Sequence, residues 1–152
     1  KIIKKIVVVG IMLTAVAGGV VFYLFNMPHR DVQAQAADFK LTSDVLVAEY
    51  LADNTAANNK YLDEEGQSKI IAVTGTVASV TENLNNEKVI LLRSKDQEAG
   101  VRCTFTAQTN HSAESVVAGS TITIKGVIRS GASFDEDLEE YEDVILEKSD
   151  IN

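Results

Sequence analysis

The stretch "KIIAVTGTVASV", Lys69 to Val80, alternates apolar residues with small or polar ones. A period of two places Ile71, Val73 and Val77 on one side of a strand, with Gly75 between the two valines. Downstream, "TITIKGVIR" (Thr121 to Arg129) repeats the device: Ile122, Ile124 and Ile128 share a side, with Gly126 among them. Glycine inside an otherwise β-branched strand marks a bulge or a sharp bend. Two long strands bent at their centres are what closing a small barrel demands.

Working outward, "KVILLR" (Lys88 to Arg93) and "GVRCTFT" (Gly100 to Thr106) supply two strands between the bent pair, and "EDVILEK" (Glu142 to Lys148) supplies a fifth. The linkers "TENLNNE" and "SKDQEA" are turn-rich and read as hairpin loops. The segment "NHSAESVVAG" has room for a short helix, with Ser112 as its cap and Gly119 as its stop. Five strands with a helix between the third and fourth predict a mainly β fold, a five-stranded OB-type barrel over residues 69–152.

A helical lead-in precedes the barrel, over residues 41–65. In "LTSDVLVAEYLADNTAANNKYL" Thr42 or Ser43 can cap a helix, and Asp44 falls in its first turn. Leu46, Tyr50, Ala57 and Tyr61 then form one narrow apolar stripe. Asn54, Asn58 and Asn59 are poor interior residues, so a kink or two short helices is expected. A stripe of that width is what packing against the following domain needs.

The ensemble "LVAEYLADNTAANNKYL", "IIAVTGTVASV", "VRCTF", "VVAGSTITIKGVI" and "DVILEKSDI" resembles the tRNA-anticodon-like OB family of bacterial envelope proteins, over roughly residues 40–152. The resemblance implies an amino-terminal anchor or lipid signal, a helical lead-in and one OB domain. It carries no catalytic residues, and it implies nucleic-acid binding by fold analogy alone. The chain departs from some relatives in lacking a lipid-attachment cysteine, which leaves a membrane helix as its attachment.

That helix is legible in "IVVVGIMLTAVAGGVVFYLF", Ile6 to Phe25, twenty residues without a charge. As a helix it would span about 30 Å, the hydrocarbon thickness of a bilayer. Lys1, Lys4 and Lys5 precede it, and Phe22 and Tyr23 lie near its far end, where aromatic rings favour the interface. The reading is an uncleaved signal-anchor over residues 1–25, followed by a linker over 26–40 that contains Pro28, the only proline. It predicts a single-pass protein of the inner membrane with its amino terminus inside and the OB domain extracytoplasmic. The competing reading is a cleaved signal with Ala34-Gln35-Ala36 as its site, but the apolar run is long and "PHRDVQ" intervenes.

Charge limits the ligand. The chain carries a net -8, and because residues 1–30 hold four cations and no acid, the remainder carries -12. Such a field repels a polyanion unless a local basic patch overcomes it. If Val101, Cys103 and Phe105 face the core, Arg102 and Thr104 face outward on the third strand, and Lys125 and Arg129 do so on the fourth. These four are the candidate ligand-binding residues. The loop "FDEDLEEYED" (Phe134 to Asp143) places seven carboxylates where OB proteins often contact ligands. It lacks the spacing and the glycine of a calcium loop. A solvated hairpin tip, a cationic partner and weak divalent binding remain open for it. Phe134 and Tyr141 flank this loop and could stack on a ligand, but the favoured expectation is that they pin the loop to the barrel.

Catalysis and cofactors find no foothold. One cysteine excludes an internal disulfide and any cysteine-built zinc site, and Cys103 reads as a small core hydrophobe. His29 and His111 are far apart and lack ligand-like neighbours, and no nucleophile elbow or phosphate loop occurs. The expectation is therefore a non-enzymatic, membrane-tethered OB module with no metal or cofactor. Its ligand is a protein, a peptide or a small envelope molecule, and single-stranded nucleic acid is the disfavoured alternative.

Overall fold

The structure, a computed structural model, describes residues 1–26 and 30–152; Pro28 and His29 lie outside the described residues. The chain divides into two compact units, Lys1–Arg30 and Asp31–Asn152. The first is helix α1, Ile2–Phe25, with no buried residue. It is long and apolar enough to cross a membrane. Its polar groups are satisfied locally: the Thr14 hydroxyl donates to Gly10 O at 2.9 Å, and Asn26 closes the last turn through its amide and backbone N–H.

In the second unit the elements follow as β1 (Phe39–Thr42), α2 (Ser43–Ala52), α3 (Asn54–Tyr61), β2 (Ile70–Glu82), β3 (Lys88–Leu92) and β4 (Val101–Phe105). Then come α4 (Asn110–Ala113), β5 (Thr121–Ser130), β6 (Ser133–Asp135), β7 (Glu140–Glu142) and β8 (Val144–Ile151). Strands β2, β3, β4, β8 and β5 are hydrogen-bonded in that order, and β5 returns to β2 to close a five-stranded barrel. The β4–β8 pair is parallel and the other pairs of the barrel are antiparallel. With α4 between β4 and β5, this is the OB arrangement.

The glycines do what the bent strands require. A Cβ on Gly75 would lie 2.5 Å from Ser43 Oγ and 3.1 Å from Leu92 Cβ. One on Gly126 would lie 2.7 Å from Ser149 Oγ and 2.9 Å from Glu147 O. At Gly126 the pairing with β8 shifts register between Lys125 and Val127, while the pairing with β2 runs through it unbroken. In β2 the shift falls just beyond Gly75, between Val77 and Ser79. The same-side residues Ile71, Val73, Val77, Ile124 and Ile128 are buried in one core with Cys103, Phe105 and Leu146.

The lead-in divides as its asparagines suggest. Thr42 caps α2, Asp53 interrupts the helix and caps α3 through its side chain, and Leu46, Tyr50, Ala57 and Tyr61 are all buried. Three local expectations change. Ser112 lies inside α4 and does not cap it; the cap position is Thr109. The lead-in begins with a strand: β1 pairs in parallel with residues 71–74 of β2, along the edge that β3 is too short to reach. That pairing covers an edge that would otherwise present open backbone groups. The stretch expected as linker is also partly structural, because Val32 is buried and Gln33 Nε2 donates to Lys125 O (3.1 Å) and Lys148 O (2.8 Å). At its end Asp38 Oδ2 accepts from Ile70 N at 2.8 Å. Residues 31–38 are a strap on the barrel.

Gly126→Ala should therefore destabilise the folded unit by about 1–3 kcal/mol, because the new methyl meets backbone as well as a side chain. Urea unfolding of the full chain in a neutral detergent measures it. A variant as stable as the parent would contradict the close approach.

Candidate functional site

The four residues expected on the ligand face occupy the outer side of β4 and β5, and β8 runs between those strands. Arg102 and Thr104 sit on β4. Arg102 is already paired, with Nη2 donating to Asp143 Oδ2 at 2.7 Å, while Asp143 Oδ1 accepts from Gly100 N at 2.8 Å. Thr104 is half-buried opposite Val89 of β3. Lys125 on β5 turns to the strap, and Nζ donates to Gln33 O (2.9 Å) and Gln35 O (3.0 Å). Arg129 is the most open of the cations, its Nε 4.0 Å from Glu147 Oε1 of β8. The structure thus brings Arg102 and Thr104 together and separates them from Lys125 and Arg129 by a strand bearing Glu147 and Asp150. The face is of mixed charge, with Arg102 and Lys125 committed to a carboxylate and to carbonyls and Arg129 left largely open beside Glu147.

A second polar cluster ties the helices to the barrel edge. The Tyr61 hydroxyl donates to Glu49 Oε2 at 2.6 Å, and Lys60 Nζ lies 3.0 Å from the same oxygen. The ammonium also sits over the rings of Phe39 (5.2 Å) and Tyr61 (4.8 Å), and those rings meet edge to face. The Tyr61 hydrogen bond, reinforced by Lys60, holds the Glu49 carboxyl below its ordinary value despite partial burial. A group so depressed contributes stability above its unfolded pKa and loses it as pH falls through the folded one.

The acidic stretch folds into a small hairpin. Phe134 and Tyr141 are direct partners in the β6–β7 pair, and their rings stand 4.8 Å apart. Asp135 Oδ1 accepts from the backbone N–H of Asp137 and Leu138, which turns the tip, and Ser133 Oγ donates to Glu142 Oε2. The base of the hairpin is fixed: Asn54 Nδ2 donates to Ala132 O at 3.2 Å, Ala132 is buried, and Gly131 lies directly against the Tyr50 ring, where a Cβ would collide. The two aromatic rings correct their expected role. They pack on each other and stay 48% and 41% exposed, so they do not pin the loop to the core. Between the hairpin and the helices lies a cleft of about 580 Å³, lined by Tyr50, Leu51, Asn54, Ser133, Phe134 and Tyr141. Burial pushes the Tyr50 phenol up to about 12, with Tyr61 and Glu49 adding to it.

Cys103 is buried in the core, and burial pushes its thiol well above the ordinary value. His111 is exposed on α4. No group of three histidine, cysteine or carboxylate side chains suited to a metal occurs among the described residues. Sequence reasoning missed the strap that occupies Lys125, because nothing in "DVQAQAADF" signals packing. It also missed the cleft, whose walls are about eighty residues apart in the chain.

Glu49→Gln should flatten the acid limb of stability: below about pH 4.5, where the parent loses the Glu49 contribution, the variant has none to lose. Unfolding at stepped pH reads this, and parallel acid limbs in the two proteins would contradict it.

No curated protein matches this chain. A solved structure from Klebsiella pneumoniae subsp. pneumoniae MGH 78578, described as a presumed nucleic acid-binding lipoprotein, aligns with a TM-score of 0.55 at 15% identity. It covers 78% of this chain and 99% of its own, a likeness of fold. The tRNA_anti-like family matches residues 1–136, from the apolar helix through five strands of the folded unit and into the acidic hairpin. With the matched span taking in most of the chain, this protein belongs to the tRNA_anti-like family.

Proposed function

We propose that this protein is a non-catalytic binding module held at the inner membrane by α1, with its OB domain extracytoplasmic and engaging a protein or peptide. The observation that carries the reading is the state of the barrel's outer cations. Arg102 is paired with Asp143, Lys125 is held by the strap, and Arg129 faces Glu147. Seven carboxylates fill the connection between β5 and β8. OB proteins that take single strands use a basic groove with aromatic platforms, and here the groove strands offer neither in open form. A mixed-charge face suits a protein surface, where complementary charges set register and partner choice. Arg102, Thr104 and Arg129 are the contact residues of this reading, and Lys125 supports them through the strap. The membrane tether rests on α1, and the three lysines before its apolar run support an inside amino terminus.

Single-stranded nucleic acid is the second reading, favoured by the description of the Klebsiella lipoprotein. The two separate cleanly. A photo-crosslinker at Thr104, in cells, should trap a discrete protein partner, and Arg102→Glu with Arg129→Glu should abolish the product. Fluorescent oligothymidylate should show no binding to the full chain at low salt. Micromolar binding that falls steeply with salt, together with unaltered crosslinking in the reversed variant, would install the nucleic-acid reading instead.

A further inference from the structure

The cleft between α2 and the acidic hairpin has the parts of a binding site that the barrel face lacks. Its hairpin wall is anchored at the base by Asn54 and by Gly131 against Tyr50, yet presents Phe134 and Tyr141 to solvent as an open aromatic pair. Leu51, 43% exposed, faces the cleft from the helix side. Buried Tyr50 lines it too. Strand alternation puts Asp135, Glu140 and Glu142 on the opposite side of the hairpin from the rings, with Glu136, Asp137 and Glu139 at the turn. The aromatic pair therefore sits inside a strongly negative field.

From this geometry we propose that the cleft binds a basic peptide segment, laying an arginine or lysine side chain on the Phe134–Tyr141 pair. The neighbouring carboxylates draw the cation in, the ring faces hold it, and Leu51 takes an apolar neighbour of the peptide. The occupant is cationic by charge complementarity: an anionic strand would meet the six hairpin carboxylates, and a neutral apolar one would leave them unanswered. The proposal rests on the binding-module reading only in that an extracytoplasmic partner supplies the segment.

The test uses the full chain in a neutral detergent with three synthetic peptides: acetyl-(Arg-Leu)3-amide and its glutamine and glutamate counterparts. The arginine peptide should bind and the other two should not. Phe134→Ala with Tyr141→Ala keeps every carboxylate and touches no buried residue; it should weaken binding about tenfold. Failure of the arginine peptide to bind would overturn the proposal. So would equal binding by parent and the double alanine variant, which would reduce the attraction to diffuse charge. Arg102→Glu with Arg129→Glu should leave peptide binding intact. Thus failure here with Thr104 crosslinking preserved overturns the cleft, and the reverse pattern overturns the barrel face.

Discussion

The antiparallel seam between β2 and β5, residues 70–76 against 121–127, positions every other element of the folded unit. Two bent strands can share such a length only if the backbone closes tightly around the core, and Gly75 and Gly126 allow it. Each leaves room for a serine from another element, Ser43 at the start of α2 and Ser149 in β8. The seam thereby sets where the helical lead-in docks and how β8 threads between β4 and β5. One edge of the first half of β2 then needs a partner, which β1 provides before the chain turns into α2. Closing the barrel thus recruits residues that precede it, and the strap follows from the same logic as it crosses to Lys125 and Lys148.

The seam also decides the chemistry of the surface. Because β8 inserts between β4 and β5, its acids stand among the cations of those strands, and Asp143 at its entry takes Arg102. The connection leaving β5 passes Tyr50 at Gly131, and so the acidic hairpin is held against the helices while its tip stays in solvent. A barrel of the tRNA_anti-like family thus carries a surface of paired charges and one negative aromatic lobe. Families share folds more readily than ligands, and the site's own residues bear on the ligand more directly than the lineage does.

Much of this was legible from periodicity. The period of two in residues 69–80 and 121–129, broken by glycine, is the direct trace of bent strands, and the apolar stripe from Leu46 to Tyr61 is the trace of helices with one buried side. Those signals are local and dictated by burial. What stayed hidden depends on pairing between distant segments. "FKLT" is too short to announce a parallel strand, and the outward residues of β4 and β5 gave no sign that β8 would lie between them. Phe134 and Tyr141 are seven residues apart across a turn whose register only the hairpin geometry reveals. Lys125 reads as a free cation in any alternation pattern, and its capture by the strap needs three dimensions.

The central proposal is that the barrel works outside the cytoplasm, tethered by α1. The most direct measurement adds protease externally to spheroplasts carrying a carboxy-terminal tag on the full chain. The account predicts loss of the tag while a cytoplasmic control protein survives. A tag that persists until the membrane is permeabilised would place the barrel inside and contradict the orientation read from the lysines. The ligand would then be sought in the cytoplasm, with nucleic acid first.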